Sequence, residues 1–318
     1  MEGGSPLTCT EVTAQCPVEA SIYGYYPNRP INAALVIVFG ILMLVQGWQT
    51  FKYKTYTYSF AMTVGCLGEA IGYVGRIILH DNPFSATGFQ MQITTLIMAP
   101  AFFSAAIYLT LKHLCLALGP NLSLLKPRFY TWIFIGVDLL SLTLQGIGGG
   151  LAATAKQNKA QQDAGTNVMI AGIVWQVFTL TVFGFLVAHF FWRLRSERRH
   201  GANPTAKQLW GSRKFKLFLG STTVAFLFIF IRCVYRIAEM VGGWRNEIMQ
   251  DEVSFVVLES FLCLIAALLM TVFHAGDCFP QMRSDFVATK FADSLPLSSA
   301  DTSYTAVHKQ PLMPGEDH

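Results

Sequence analysis

Seven long apolar blocks, separated by short polar stretches, dominate the chain. They run over 31–49, 57–79, 91–117, 129–151, 168–192, 215–239 and 253–274. A helix rises 1.5 Å per residue, so roughly 20 residues cross a hydrocarbon core about 30 Å thick. Each block meets or approaches that length. The apolar residues form continuous runs, not the narrow stripes of a water-facing helix, so the solvent they anticipate is lipid. The pattern predicts an all-α, polytopic membrane protein built as a seven-helix transmembrane bundle. Residues 1–30 have no basic segment followed by an apolar one, so they read as an extramembrane tail and the first block as the element that directs insertion. Residues 275–318 are polar and lack an apolar period, which predicts a disordered tail. Pro100 falls inside the third block, removes one backbone hydrogen bond and predicts a kink.

Composition sharpens the picture in one respect. Apolar residues make up 53% of the chain and charged ones only 13%, about half the share expected for a soluble domain of any fold. Charge then orients the bundle. With the N-terminus outside, 16 Lys and Arg fall in inner segments and four in outer ones, the other three lying within spans. Inner loops carry the positive excess in multispanning proteins, so the C-terminus is expected in the cytosol. Trp48, Trp132, Trp192, Trp210 and Trp244 fall near span ends, where an amphipathic ring prefers to sit; Trp175 lies within a span. The sequon Asn121-Leu122-Ser123 falls in an inner loop and is expected to stay unmodified. Arg193, Arg195, Arg198 and Arg199 either lie against anionic headgroups or only enforce topology. The basic residues form no extended basic surface, so nucleic acid is not an expected partner.

Candidate chemistry sits inside the spans. An ionisable residue at membrane depth costs about 2.5–3.5 kcal/mol on insertion scales. The chain keeps seven: Glu69, Arg76, Asp138, Arg232, Arg236, Glu239 and Glu259. Helical periodicity groups them. Glu69, Gly72, Tyr73 and Arg76 share a face of the second span, and Arg232, Tyr235, Arg236 and Glu239 repeat that spacing on the sixth. Asp138, Ser141 and Gln145 share a face of the fourth. In the predicted orientation Glu69 and Asp138 lie near the midplane and the rest in the outer half. Two readings follow: buried ion pairs that fix helix register, or the lining of a water-accessible cavity for a polar headgroup. Because desolvation favours the neutral form of a carboxyl, Glu69 and Asp138 are also candidate proton carriers. Gln92 and Tyr108, on either side of Pro100, could border the same cavity. Gly65, Gly68, Gly72 and Gly75 allow close helix approach in the second span. Gly146, Gly148, Gly149 and Gly150, at the end of the fourth, serve as packing positions or hinges.

Other chemistries find little purchase. Seven cysteines include no C-x-x-C pair; Cys9 and Cys16 in the tail either pair or stay free. His113, His189 and His274 fall near inner span ends without metal-site spacing, so no metal is expected. No phosphate loop occurs, so no nucleotide cofactor is expected, and no nucleophile elbow marks a catalytic residue.

The ordered motifs carry a resemblance. They are Tyr26-Pro27 with Asn32 before and in the first span, Glu69-x-x-Gly72-Tyr73-x-x-Arg76 in the second, and Gln92, Ala99-Pro100, Ala105 and Tyr108 in the third. Asp138 with Gln145-Gly146-x-Gly148-Gly149 follows, then Arg232-x-x-Tyr235-Arg236-x-x-Glu239. Over roughly residues 23–280 the chain resembles the fungal lipid-translocating exporter family, seven-helix proteins linked to 7-aminocholesterol resistance. Where that family tends to show an acid, a Tyr and an Asp in the seventh span, this chain has Glu252, Phe255 and Glu259. Its usual His-Pro reads His274-Ala275. The resemblance implies a transporter or flippase for amphiphiles, such as sphingoid bases, sterol-like lipids, drugs or secondary metabolites. It also implies a functional core of Glu69, Arg76, Asp138, Arg232, Arg236 and Glu239. Membrane lipids and an amphiphilic substrate are the expected partners and the plasma membrane the expected location. A seven-helix receptor or stress sensor is the alternative; a metal-dependent intramembrane lipid enzyme is the third.

Overall fold

A computed structural model describes residues 9–119, 122–155, 158–197, 209–243, 246–279 and 282–283. The expectations for Asn121, Lys156, Arg198, Arg199, Trp244, Arg245 and the tail from 284 fall outside these residues.

Seven helices long and apolar enough to cross a membrane account for nearly all of the described chain, and no strand occurs among the described residues. They are α1 (Arg29–Tyr53), α2 (Tyr56–Asp81), α3 (Ala86–Leu118), α4 (Pro127–Thr154), α5 (Lys159–Glu197) and α6 (Arg213–Val241). The seventh, α7, is composite: Glu252–Phe255, a π-helical turn Val256–Phe261, and Leu262–Val272. Each helix begins within a few residues of its apolar block except α3 and α5, which start five and nine residues earlier. At 33 and 39 residues these two are about 50 and 60 Å long, beyond the hydrocarbon thickness.

Local signals set several boundaries. Asn28 caps α1, its side chain accepting from Ile31 N at 3.1 Å, with Pro30 in the first turn. Ser85 caps α3 through Gly88 N, and Asp251 caps α7 through Val253 N. Pro100 lies within a continuous α3. The packed chain also continues past position 274. Ala275–Cys278 form a short helix capped by His274, and Phe279 is buried against Phe215 and Phe218.

The helices close into a ring. Neighbours in sequence pack along α1–α2, α2–α3, α3–α4, α4–α5, α5–α6 and α6–α7, and α1 meets α7. α3 also touches α6 and is the most enclosed helix, with 67% of its apolar window inside. The outer faces expose Ile37, Leu44, Phe60, Trp132, Leu139, Phe185 and Trp192, as a lipid-facing surface does.

Two seams bring backbones together. A Cβ on Gly75 would stand 2.8 Å from Gln92 N and Gly88 O, and one on Gly72 would stand 2.5 Å from Leu96. Between α4 and α5, a Cβ on Gly148 would lie 2.5 Å from Met169 N, and one on Gly165 2.5 Å from Ala152 N. Gly146 and Gly150 face open space, so Gly148 is the packing position of that cluster.

The segment before α1 folds back over the end of the bundle where α2 finishes. Cys9 and Cys16 form a disulfide, spanned by backbone hydrogen bonds between Thr13 and Cys16. Thr10 O accepts from Asn82 Nδ2 at 2.9 Å, and Pro27 O lies 2.8 Å from His80 Nδ1.

Candidate functional site

The polar residues of the spans assemble in layers down the bundle. Uppermost, beneath the N-terminal segment, lies Arg76 of α2, fully buried. One nitrogen donates to Tyr25 Oη at 3.1 Å and stands 3.6 Å from Glu252 Oε1. The guanidinium lies 3.9 Å from the Phe255 ring centre, a cation–π contact that partly replaces hydration. Gln92 of α3 donates to Tyr23 Oη at 2.9 Å. Gly24 joins the two tyrosines; its φ of 71° is left-handed, which aims both phenols at the bundle. Burial pushes both phenols above the ordinary tyrosine value, so they stay neutral donors and acceptors. Arg236 and Glu239 pair one turn apart on α6, and Glu239 O accepts from Asn246 Nδ2 at 2.6 Å.

The next layer is centred on the π turn of α7. A π turn inserts a residue into the helical register, and here it turns adjacent residues, Glu259 and Ser260, both inward. Glu259 pairs with Arg232 of α6, which also donates to Leu96 O of α3. Beside that pair stand Glu69 and Tyr73 of α2 and Cys263 of α7. The layer is incompletely hydrogen-bonded. Both Glu69 carboxylate oxygens, Tyr73 Oη, Ser260 Oγ and Glu259 Oε2 are buried without a hydrogen-bond partner among the described residues. Buried polar groups are nearly always satisfied, so five such atoms in one place mark a site.

A third cluster is separate in its bonding. Tyr108 of α3 donates to Asp138 Oδ2 at 2.9 Å, and its ring packs edge-on to Phe183 of α5 at 4.6 Å. Further along α4, Ser141 donates to Gly172 O at 2.6 Å, and Gln145 donates to Ser141 Oγ and Gln176 Oε1 at 2.8 and 3.2 Å.

The structure therefore divides the residues singled out in the sequence. Glu69, Tyr73, Arg232 and Glu259 come together at one level; Arg76, Gln92, Arg236 and Glu239 lie toward the N-terminal segment. Tyr235 has a buried hydroxyl without a partner. Tyr108 pairs with Asp138, while Gln145 faces α5. Glu69, Tyr73, Arg76, Gln92 and Tyr108 are wholly enclosed. A cavity of about 310 Å³ lies at the far end, bordered by Leu122, Trp192, Arg193 and Ser196. The positions at which α7 departs from the family pattern are used, since Glu252 and Phe255 both meet Arg76 and Glu259 meets Arg232. Sequence reading missed Tyr23, Tyr25, Ser260 and Cys263. The Tyr23-Gly24-Tyr25-Tyr26 run was the available signal for the tyrosines; nothing in one sequence announces a π turn.

The three histidines stay apart in their bonding. His274 Nδ1 accepts from Gly276 N while Nε2 faces Ser59 Oγ, and His113 Nδ1 is 2.8 Å from Leu109 O of its own helix. No group of three or more His, Cys, Asp or Glu among the described residues is placed to hold a metal ion.

Comparison with known proteins places this arrangement. No solved structure gives a significant match. The sphingoid long-chain base transporter RSB1 of Saccharomyces cerevisiae is 31% identical over 290 residues, covering 81% of this chain and 75% of the relative. Protoporphyrin uptake protein 1 of the same yeast is 30% identical over 219 residues, covering 68% and 67%. Its protein RTM1 is 28% identical over 230 residues, covering 71% and 69%. The family model described as RTA1 like protein matches residues 62–282, from α2 through the end of the packed chain. With its seven spans, this chain is an integral multi-pass membrane protein and a member of the RTA1-like family.

Proposed function

We propose that this protein is a transporter or flippase for amphiphiles with a cationic headgroup, of the sphingoid-base type. One observation carries the reading: an acid-rich layer at the middle of the bundle, shared by α2, α6 and α7, keeps unpartnered acceptor oxygens. An ammonium group brings three donors and no acceptor, the complement of that layer. The apolar chain of such a substrate can remain between helices or in lipid. The similarity to a sphingoid long-chain base transporter supports the same substrate class. The protein acts as a carrier, with no catalytic residue, metal or cofactor.

In this reading the polar layers form the path. Arg76, Gln92, Arg236 and Glu239 lead from the N-terminal segment toward Glu69 and Glu259, with Tyr73, Tyr235 and Arg232 beside them. The Tyr108–Asp138 pair is a side branch toward α4. The enclosed form is one state of an alternating cycle, and Tyr23 and Tyr25 cover the N-terminal side. That side faces outward and the C-terminus faces the cytosol, in keeping with the Lys and Arg asymmetry. The Cys9–Cys16 disulfide belongs in an oxidising compartment, which agrees with the same orientation. The plasma membrane is the proposed location.

Release of a labelled long-chain sphingoid base from expressing cells tests the reading. Faster release than from empty-vector cells, lost in a Glu69→Gln/Arg236→Gln double variant, is expected. Release equal to empty vector, for this base and for a panel of other cationic amphiphiles, would refute it. Ligand-dependent capture of a cytosolic partner without lipid movement would instead favour a receptor.

A further inference from the structure

The charge count around Glu69 points to how such a transporter is driven. Arg236 also reaches Glu259 but is paired with Glu239, so a single cation, Arg232, is shared by two carboxylates, Glu69 and Glu259. It is committed to Glu259 and to Leu96 O. The remaining titratable groups that face Glu69 are Tyr73 and Cys66 on its own helix and Cys263 on α7. The α1 and α3 residues packed along this stretch of α2, namely Phe39, Leu96 and Phe103, carry no charge. Glu69 is therefore a second acid with no second base, at zero exposure; Tyr73 and Cys263 stand close to its oxygens, but neither meets hydrogen-bond geometry with them. A bare carboxylate in such a place is severely penalised, because it loses hydration and gains no partner. Two arrangements remove the penalty. In one, Glu69 is a neutral acid whose own O–H is directed at the unpartnered Tyr73 or Ser260 oxygen. In the other, Glu69 is ionised and a cation occupies the layer.

We infer that Glu69 is a proton–ammonium exchange site, so that binding a cationic amphiphile expels one proton and transport is coupled to proton movement. The step balances without a redox partner. The O–H bond of the Glu69 carboxyl breaks and its proton leaves to bulk water. The carboxylate that remains pairs with one N–H of the incoming ammonium, whose other two N–H groups meet two of the three oxygens Tyr73 Oη, Ser260 Oγ and Glu259 Oε2. The charge of the layer is unchanged, which keeps either form tolerable inside the bilayer. Reprotonation of Glu69 from the opposite side releases the ammonium, so one proton moves against one cation. Asp138 is distinguished by its bonding: Tyr108 already donates to its Oδ2, so only Oδ1 is without a partner, whereas both oxygens of Glu69 are. This inference rests on the proposed substrate class.

The test is binding of a twelve-carbon sphingoid base to the full-length purified protein between pH 5 and pH 8. The alkyl amine stays charged throughout, since its ordinary pKa resembles that of lysine, about 10.4. Below the titration of Glu69, a proton competes with the ammonium. Affinity is then expected to fall about tenfold per pH unit, with release of about one proton per ligand bound. The N-acetylated analogue, which has no ammonium, is expected to release none. Glu69→Gln should abolish the proton release and the pH slope, and Glu69→Asp should retain both, which separates lost chemistry from lost folding. Binding that is strong but independent of pH, with no proton released, would overturn the exchange while leaving the transporter reading intact. Proton release that survives in Glu69→Gln would overturn the assignment to this residue. No binding at any pH would overturn both readings.

Discussion

Two polar regions of the bundle, one of neutral side chains and one of mostly ionisable ones, satisfy their hydrogen bonds differently. Along the α4–α5 seam, Ser141 and Gln145 spend their donors on Gly172 O, Ser141 Oγ and Gln176 Oε1, across backbones brought together by Gly148, Gly165 and Gly172. In the layer between α2, α6 and α7, the one ion pair and its neighbours leave five buried oxygens without partners, against the single atom Gln176 Nε2 at the seam. The first arrangement fixes two helices against each other. The second leaves bonding capacity unused at a place where unused capacity is costly. A polar group inside a membrane protein is thus evidence of function only after its partners are counted.

The sharpest way to break the comparison is to strip the α6–α7 pair. Arg232→Gln leaves Glu259 buried without its cation and is expected to cost about 3–5 kcal/mol, read as lost folded yield and a lower melting temperature in detergent. The double variant Arg232→Met/Glu259→Met should recover most of that stability while transport stays lost. A double variant as unstable as the single one would mean that the pair is structural.

The seam is tested next. Gly148→Ala forces a methyl to within 2.5 Å of Met169 N and is expected to destabilise by roughly 1–3 kcal/mol. Gly146→Ala, two residues away and facing open space, should be neutral or slightly stabilising. Equal melting temperatures for the two variants would deny the close α4–α5 contact.

Smaller still is the effect expected at the N-terminal cover. Tyr25→Phe removes the oxygen to which Arg76 donates, at about 1 kcal/mol, and should make Cys66 or Cys263 more accessible to a thiol reagent. Unchanged labelling would separate Tyr25 from access to the core.

How far the sequence reached follows from the physics of each feature. Spans are legible because lipid demands unbroken apolar runs, so bounds read from hydropathy lie close to most of the helices found. Stripes are legible because helical periodicity is local: Glu69, Tyr73 and Arg76 on one face, Arg232, Arg236 and Glu239 on another. Pairing is not legible, since it depends on how two helices slide and rotate against each other. Asp138 and Gln145 share a stripe, yet Asp138 meets Tyr108 of α3 and Gln145 meets Gln176 of α5. The π turn was hidden for a further reason. Glu252, Phe255 and Glu259 have ordinary helical spacing, and only the structure shows Ser260 turned inward with them. The tyrosines of the N-terminal segment escaped because a fold-back of an extramembrane stretch leaves no periodic trace.

The central claim, that unpartnered acceptors mark the transport path while satisfied ones hold the scaffold, has a direct test. Sphingoid-base release is compared among cells bearing equal amounts of the wild-type protein, Glu69→Gln and Ser141→Ala. The account predicts release at the empty-vector level for Glu69→Gln and near wild type for Ser141→Ala, with at most about 1 kcal/mol of stability lost in the latter. Wild-type release from Glu69→Gln, or equal loss from both variants, would contradict it.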